Sequence, residues 1–312
     1  MIKNFLQLEK AVQRLKPVRM VVVSAEDEKV LAGVKLALKK DVIYEPILVG
    51  NGQQIEKTLL NLEEDSKKYR IENVLSHYEA AQKAIKFIKD GQAKILAKGK
   101  IKSDEFLKAI LDKEKGIKKF PLLSNLTLFE MSSYHKLVGI TDMAIIPFPG
   151  LREKVEIIKN SYPLWRALGI FNPKVAVLAA VEVVNPAMQA TVDAACLAKM
   201  SNRNQIENFI IDGPLSYDTA MDPEAAGGKG ISDTSVAGDP DMLLVPNLET
   251  GNILGKSLKI NSYAKSAAIV FGAEVPIMIN SRSDSAERRY YSTLLARIIL
   301  GNKSGSEKKS DL

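Results

Sequence analysis

The sequence predicts an α/β fold built on mostly parallel sheets. Short, nearly continuous apolar runs recur along the 312 residues, and segments whose apolar residues have helical spacing separate most of these runs. Such runs are typical of parallel strands, because helices cover both faces of a parallel sheet. No window holds the roughly 20 consecutive apolar residues that a helix needs to span a bilayer. The length suits one large or two medium domains.

The predicted elements alternate from the amino terminus. An amphipathic helix comes first, and its apolar residues are Ile2, Phe5, Leu6, Leu8, Val12 and Leu15. Strands are then predicted at residues 19–24, 46–49, 71–75, 93–97, 174–180, 209–212, 242–245, 267–271 and 275–279. The strand-like segments 126–130 and 137–146 lack a full helix between them, which places a boundary between two α/β halves near residues 130–150. Ligands bind beyond the carboxyl ends of such strands, so the residues just after strands are the functional candidates.

Composition narrows the class of protein. One cysteine and two histidines exclude a disulfide framework and leave little for a thiolate or imidazole metal site, so we expect no bound metal. A reducing cytoplasm is the expected compartment. The net charge is +7, and much of the excess lies in the lysine-rich stretch 98–119. Phe106 is the one aromatic residue in that stretch, too few for a series of base-stacking platforms, which disfavours nucleic acid. A polyanionic small molecule or an anionic membrane surface could also bind a basic patch, and a solvated helix face fits the later lysines at least as well. Small-molecule partners are expected, with neither nucleic acid nor a membrane.

Three common catalytic motifs do not occur in the sequence. No G-x-G-x-x-G opens a helix after a strand, no G-x-x-x-x-G-K-[ST] occurs, and no G-x-S-x-G occurs. Nicotinamide transfer through a Rossmann fingerprint, phosphoryl transfer through a P-loop and serine hydrolysis therefore have no support.

The turn after the fourth predicted strand contains Lys98 and Gly99. Glycine lets the backbone approach a ligand closely, and lysine offers charge to a phosphate. Asp104 and Glu105 in the first turn of the following helix would repel a phosphate placed on that helix end, so an anion would lie beside the lysines. Taken alone, the segment fits an ordinary strand–turn–helix equally well.

The loop before the last helix contains Ser281, Arg282 and Asp284. A guanidinium binds phosphate bidentately, and a serine hydroxyl can donate to a phosphate or carbonyl oxygen. Asp284 or Ser285 fits the helix N-cap equally well, with Glu287 in the first turn.

The run at 211–258 is rich in glycine and aspartate, and a loop of this length is unusual unless it binds something. It contains IDGP (211–214), SYD (216–218), SVAG (235–238), Asp241 and PNLETGN (246–252). With Ser281-Arg282, residues 137–160 and residues 181–200, these segments resemble the phosphate acetyl/butyryl transferases, and the butyryl branch most of all. The resemblance covers nearly the whole chain.

The resemblance implies a fold and an assembly. Members of that family have two α/β domains around a cleft, so it implies a two-domain three-layer sandwich of isocitrate/isopropylmalate dehydrogenase-like topology. Residues 1–131 plus 281–312 would form the first domain and residues 132–280 the second, with the active cleft between them. A homodimer or higher homo-oligomer is also implied.

The resemblance further implies a reaction, in which acyl-CoA and phosphate give acyl phosphate and coenzyme A through a ternary complex. By the same likeness, Arg282 binds the phosphate and Ser281 donates to the phosphate or oxyanion. Lys98 and Gly99 contact an anion, and Glu249 and Asn252 line the cleft from the other domain. Coenzyme A is then a substrate rather than a resident cofactor.

One departure from the family pattern leaves the base for the thiol open. Acetyl-type relatives have an aspartate a few residues beyond the Ser-Arg pair, where this sequence has Arg288. Asp284 is retained as a candidate for the base, although it is not aligned with that aspartate. The departure fits the butyryl branch better.

Alternatives remain at the level of the sequence. Acetyl specificity is one, and a metal-dependent decarboxylating dehydrogenase of the same fold is another, although no set of converging aspartates is evident. A non-catalytic regulator is a third, which the intact Ser281-Arg282 pair disfavours. Cys196 invites covalent catalysis, but it lies on an apolar stripe of a helix that Asn185 is expected to cap. A buried core cysteine is therefore expected.

Overall fold

The computed structural model describes residues 1–231 and 234–306, with residues 302–306 described by their backbone alone. The chain divides into two compact units. We call Phe5–Pro121 together with the described residues from Ala267 on the first unit, and Met1–Asn4 together with Leu122–Ser266 the second unit. No helix in the described part of the chain is long and apolar enough to cross a membrane.

Helices and strands are numbered along the whole chain. The first unit contains α1 (Phe5–Val12), β1 (Met20–Val23), α2 (Glu28–Lys39), β2 (Ile47–Gly50), α3 (Gly52–Asn61), β3 (Arg70–Asn73), α4 (His77–Lys89), β4 (Ile95–Lys98) and α5 (Ser103–Leu111). The second contains β5 (Ser124–Glu130), β6 (Val138–Thr141), α6 (Leu151–Ala167), β7 (Lys174–Leu178), α7 (Gln189–Asn202), β8 (Ile210–Leu215), α8 (Tyr217–Met221), α9 (Pro223–Gly228), β9 (Met242–Leu244) and α10 (Leu248–Asn261). Finally, β10 (Lys265–Phe271) begins with the last two residues of the second unit, and its remainder belongs to the first unit together with β11 (Ile277–Met278) and α11 (Ala286–Ser306).

The sheet of the first unit has the strand order β3-β2-β1-β4-β11-β10. All neighbouring strands are parallel except β10, which runs antiparallel to β11. Every residue of β1, β2 and β4 is buried, as the continuous apolar runs predict. The predicted α/β class with mostly parallel strands is confirmed.

The second unit has the strand order β5-β6-β9-β7-β8. Only β5 is antiparallel to its neighbour in this order. Trp165 on α6 is fully buried, and its indole N–H donates to Ser161 one turn earlier at 3.0 Å. The core therefore satisfies the one polar atom of its largest side chain.

The chain leaves the first unit after Pro121 and returns at Ala267, whereas the sequence predicted boundaries at 131 and 280. The reason is strand pairing. Met278 of β11 pairs with Ala97 of β4, so the chain is already part of the first unit before Ser281. Apolar strands look alike in either sheet, and the sequence does not say which partner they take. The predicted cleft between the domains stays a prediction.

Two local predictions differ from the structure. The helix α7 begins at Gln189, not at Asn185, because the Asn185 side chain accepts the Ala187 amide in a turn of its own. The glycine-rich run after β8 holds two short helices, α8 and α9, where the sequence predicted a loop. Within that run, Ser232 and Asp233 lie outside the described residues.

A buried ion pair marks the amino ends of β7 and β9. The Lys136 ammonium lies 2.7 Å from Asp241, and both side chains are more than nine-tenths buried. The second carboxylate oxygen of Asp241 accepts the backbone N–H of Lys174 at 2.8 Å. Asp241 thus holds two neighbouring strands together at the edge opposite to the one where ligands bind in such sheets, so its role is structural.

We expect Lys136→Met to lower the free energy of unfolding by about 3–5 kcal/mol, because it leaves the buried Asp241 carboxylate without its partner. Urea denaturation of the second unit's tryptophan signal measures the effect. Lys265→Met is the matched control, since Lys265 pairs with Glu130 at 3.2 Å on an exposed part of the same unit. Its loss should cost about 0–1 kcal/mol. Equal effects of the two substitutions would contradict the structural role.

Candidate active site

Three neighbouring parallel strands place the candidate residues at one edge of the first unit's sheet. Strand β4 lies between β1 and β11, with Val23 opposite Lys98 and Met278 opposite Ala97. Because the carboxyl ends of parallel strands meet at the same edge, the segments after these strands converge there. They supply Asp27, Gly99 and Arg282, which lie far apart in the sequence.

Gly99 is required by the close approach of two backbones. Its N–H donates to the Val23 carbonyl at 2.8 Å, and the Lys100 N–H donates to the Ser24 carbonyl at 2.7 Å. A Cβ atom at position 99 would lie 2.2 Å from the Ser24 carbonyl oxygen. The glycine predicted to permit close contact with a ligand instead permits contact with the turn after β1.

Buried acceptors hold the loop that carries Ser281 and Arg282. The Asp284 carboxylate is 3% exposed and accepts the Ser281 N–H at 2.9 Å. The Asn280 amide donates to Asp284 at 3.4 Å and to Ser292 on α11 at 3.2 Å. Ser285, not Asp284, caps the helix, since its hydroxyl accepts the Arg288 N–H at 3.3 Å. The buried side chains of Asn280 and Asp284 therefore hold the backbone of the Ser281 loop in place.

The functional side chains of the loop face outward. Ser281 and Arg282 are both exposed, and the Ser281 hydroxyl lies 3.0 Å from that of Ser283. The same hydroxyl accepts the Ser283 N–H at 3.4 Å, on a backbone that Asp284 holds in place. An exposed hydroxyl on a fixed backbone suits recognition of a ligand oxygen.

A cavity of about 280 Å³ lies at this edge, entirely within the first unit. Its lining is rich in positive charge: Lys100, Lys102, Arg282 and Arg289 outnumber the carboxylates of Asp27 and Glu105. Val30, His77, Gly99 and Asn280 complete it. A small concave site with several cations fits a compact anion.

Two buried cations lie at this edge, since Lys98 and Arg289 are each 6% exposed. Arg289 lines the cavity, whereas Lys98 lines a narrower cavity that Arg289 also borders. Burial, with the nearby charges of Arg282 and Arg289, lowers the pKa of the Lys98 ammonium, and the carboxylate of Asp27 offsets part of this. Burial also lowers the pKa of Arg289, against the opposing effect of Asp27 and Asp284. Burial works against the charged form of each side chain.

Sequence reasoning missed Arg289, Asp27 and His77. His77 was expected to have a surface or structural role, yet it lines the cavity, and its Nδ1 lies 2.8 Å from the hydroxyl of the buried Ser24. The sequence does contain a signal for Arg289, because it lies four residues before Thr293 and therefore on the same buried face of α11. An arginine is almost never fully buried unless it is paired, so its position on this face indicates a binding partner.

The second unit holds the other two predicted residues. Glu249 and Asn252 lie in the first turn of α10, directly after β9. Glu249 is exposed, and the Asn252 amide donates to the Met143 carbonyl at 3.4 Å. Asn247 caps the helix through the Thr250 N–H at 2.9 Å. Both residues are at the carboxyl edge of the second unit's sheet, and their contact with substrate stays a prediction.

Comparison with known proteins decides the family. The family model "Phosphate acetyl/butaryl transferase" matches residues 71–297. The phosphate butyryltransferase of Clostridium acetobutylicum is 39% identical over 303 residues, which cover 97% of this chain and all of the relative. The chain belongs to the phosphate acetyl/butyryl transferase family.

Two further comparisons agree with this membership. The phosphate acetyltransferase of Rickettsia felis is 39% identical over 298 residues, covering 95% of this chain and 85% of the relative. Among solved structures, a branched-chain phosphotransacylase from Enterococcus faecalis V583 gives a TM-score of 0.80 at 30% identity. It covers 90% of this chain and 99% of that one. The family and the phosphate acyltransferase class predicted from the sequence are confirmed.

Some residues that carry the family resemblance form a polar network in the second unit. The Glu182 carboxylate accepts hydrogen bonds from Ser216, from Thr219 at 2.6 Å and from Lys229 at 2.9 Å. Asp218 pairs with the same lysine at 2.9 Å. Burial would raise the pKa of Glu182, but these hydrogen bonds outweigh it and lower the pKa to about 2. The network ties α8 and α9 to the segment after β7.

Cys196 is half-buried, not in the core as expected. The buried face of α7 carries Thr191, Ala194 and Leu197 instead. Cys196 lines a second cavity, of about 590 Å³, between the segments that follow β6, β7 and β9 in the second unit. The charged groups that line this cavity form a buried pair, since Lys154 donates to Asp193 at 2.6 Å.

No group of three histidine, cysteine or acidic side chains is arranged to hold a metal ion in residues 1–231 and 234–306.

We expect Gly99→Ala to destabilise the protein by about 2–4 kcal/mol, because the added methyl meets the Ser24 carbonyl and the backbone cannot yield cheaply. Urea denaturation followed by circular dichroism measures the loss. Gly227→Ala is the control, since no atom lies within 4 Å of the added Cβ and the position is helical. It should be neutral or stabilising by up to about 1 kcal/mol. A neutral Gly99→Ala would show that the turn is not tightly packed.

Proposed function

We propose that the chain catalyses reversible transfer of a short acyl group between coenzyme A and inorganic phosphate, with butyryl as the preferred group. The observation that carries the proposal is the cationic cavity beside the Ser281 hydroxyl. It offers Arg282 and buried positive charge where a phosphoryl group would bind. Family membership indicates the class of reaction, and the cavity offers a binding site for the phosphate.

The choice of butyryl rests on two supports. The butyryl-transferring relative is matched over its whole length, whereas the acetyl-transferring one is matched over 85%, at the same identity. Arg288 also stands where acetyl-type members have an aspartate. A pocket distinguishes one methylene by only about 1–3 kcal/mol, so the preference among short chains is one of degree.

The proposed chemistry has simple requirements. In one direction the thiolate of coenzyme A attacks the carbonyl carbon of the acyl phosphate, and the bond from that carbon to the phosphate oxygen breaks. In the other direction phosphate attacks the thioester, and the thiolate leaves. The tetrahedral oxyanion needs a donor already in place, and both substrates have to be held in line.

The residue roles follow from position and charge. Arg282 binds the phosphoryl group through its planar fork, and Ser281 donates to a phosphate oxygen or to the oxyanion. Lys98, which is buried at the carboxyl end of β4, adds positive charge nearby. Gly99 acts through the shape of the turn that brings Lys100 to the cavity.

Asp284 fits a positioning role better than that of the base. Its carboxylate is buried and already accepts the Ser281 N–H and the Asn280 amide. A base has to reach the proton that it removes. His77 lines the cavity, and an imidazole can act as a general base, which makes it the alternative to test.

Several wider predictions belong with this proposal. Glu249 and Asn252 would line the active cleft from the second domain, in an isocitrate/isopropylmalate dehydrogenase-like topology. We further propose a cytoplasmic homodimer or higher homo-oligomer that uses coenzyme A as a substrate and has no resident cofactor. The sequence resemblance supports these points.

The test is a turnover assay of the whole chain with acetyl-, propionyl-, butyryl- and valeryl-CoA, following phosphate-dependent release of free thiol. We expect release in the presence of phosphate, with the highest kcat/KM for butyryl-CoA. A maximum at acetyl-CoA would overturn the butyryl assignment alone. Absence of phosphate-dependent release with all four would overturn the function.

In the same assay, we expect Arg282→Ala to lower kcat/KM by at least about 100-fold, because a charge-assisted bidentate contact to the reacting phosphoryl group is lost. The melting temperature should not change, since Arg282 is exposed. Arg152→Ala, on α6 in the second unit, is the control and should keep its activity. Near-normal turnover by Arg282→Ala would refute the role.

We expect the KM for phosphate to rise with pH above about pH 8, where phosphate is already a dianion. Because the pKa of Lys98 is lowered, its ammonium loses its proton below the ordinary lysine value of about 10.4, and attraction for the anion falls as the pH rises. Lys98→Arg should flatten this rise, since a guanidinium stays charged. Lys94→Arg, exposed just before β4, should keep the wild-type profile. Parallel profiles for wild type and Lys98→Arg would contradict the prediction.

A further inference from the structure

Arg289 is a buried guanidinium that no predicted role accounts for. It lies in the first turns of α11, is 6% exposed and lines the cavity beside Arg282. One terminal nitrogen, Nη2, donates to the Ser281 carbonyl at 2.9 Å. The Nε–H is buried and has no hydrogen-bond partner. An unmet donor on a buried cation is costly, so it calls for an acceptor.

The nearest charges do not neutralise Arg289. In the described residues, no carboxylate oxygen lies within 4.0 Å, the limit for an ion pair, of the side-chain nitrogens of Arg289 or Lys98. Asp27 raises the pKa of both side chains from farther away. Its carboxylate already accepts the Val30 N–H at 3.0 Å as the cap of α2. The charges of Arg289 and Lys98 repel each other in this low-dielectric site, and an anion bound at Arg289 would offset that repulsion.

Arg297 shows how the same helix satisfies a buried guanidinium when no ligand is needed. It is also 6% exposed, and burial lowers its pKa too. Its Nε and Nη2 both donate to the Lys16 carbonyl, at 2.8 and 2.6 Å. Arg297 does not line the cavity. The contrast isolates the open Nε–H of Arg289 as the distinctive feature.

Close packing fixes the position of Arg289. A Cβ atom added to Gly33 on α2 would lie 2.8 Å from the Cβ of Arg289, so a glycine is needed where α2 crosses α11. The guanidinium is held at its other end by the Ser281 carbonyl. The side chain is thus anchored at both ends, which is the preorganisation that an anion site requires.

We infer that Arg289 forms the floor of the phosphate site, where its Nε–H donates to a compact phosphoryl dianion that Arg282 contacts from the exposed side. Lys98 adds positive charge from the narrower cavity that Arg289 also lines. The dianion is inorganic phosphate or the phosphoryl end of an acyl phosphate, an assignment that rests on the proposed function. Since the same guanidinium holds the Ser281 carbonyl, anion binding and the position of the Ser281 loop are coupled.

The test uses Arg289→Gln in the full chain and has two readouts. The first is the rise in melting temperature on adding inorganic phosphate, which needs no turnover. We expect wild type to show the rise and Arg289→Gln to lose it. In phosphate-free buffer the variant should melt no lower than wild type, because a buried unneutralised charge has been removed. A residue with only a structural role would instead give a lower melting temperature.

The second readout is kinetic. We expect Arg289→Gln to raise the KM for phosphate by roughly 10- to 100-fold, the loss of one charge-assisted donor, and to leave the KM for acyl-CoA unchanged. A change confined to the KM for acyl-CoA would place a phosphate of coenzyme A on this floor and overturn the inference. Arg289→Lys should raise the KM for phosphate less, because it keeps the charge and loses the fork.

Arg297→Gln is the matched control. It should melt lower, because two hydrogen bonds to Lys16 are lost, and keep the wild-type phosphate-induced rise and phosphate KM. If Arg289→Gln does not fold, the same comparison is made with Arg289→Lys. A wild-type phosphate response in the Arg289 variants overturns the inference and leaves the proposed function standing. If the Arg289 variants lose the phosphate-induced rise but the wild-type enzyme releases no thiol, the phosphate site stands and the proposed function is overturned.

Discussion

Positive charge buried at the carboxyl end of β4 is the constraint on which the rest of this site depends. Lys98 ends a fully buried strand, and Arg289 approaches from α11. The protein supplies no directly paired carboxylate for either, in the part of the chain that the structure describes. An apolar floor would stabilise the folded state more, since burying an unneutralised charge is costly. Such a cost is typical of sites that have to bind an oppositely charged ligand.

The surrounding structure holds these charges in place by ordinary means. Gly99 lets β4 turn against the backbone after β1, and Asp284 fixes the Ser281 loop through its backbone N–H. The residues that would touch substrate are exposed, and those that hold them are buried. A rigid scaffold beneath flexible functional side chains lets a loop carry both precision and access.

The sequence predicted the strands and the importance of the Ser281 loop, because continuous apolar runs and a cluster of hydroxyls, guanidinium and carboxylate are local signals. It did not predict the boundary of the first unit, since Met278 pairs with Ala97 across a long stretch of chain. It could not show that the Asp284 carboxylate is buried and accepts the Ser281 N–H, because burial is invisible to composition. Arg289 was missed for a related reason, because its cavity exists only once α2 and α11 pack together. The family resemblance contributed the reaction, which no pattern of spacing contains.

The single thiol of the chain has a practical consequence. Cys196 is half-buried and borders the cavity of the second unit, near the buried pair of Lys154 and Asp193. A maleimide fluorophore or spin label can therefore be attached at one known point without engineering the sequence. Its emission or line shape would report on the segments after β6, β7 and β9 while the first unit stays chemically untouched. Substrate titrations followed through this one reporter would show whether a ligand in one half of the chain is felt in the other.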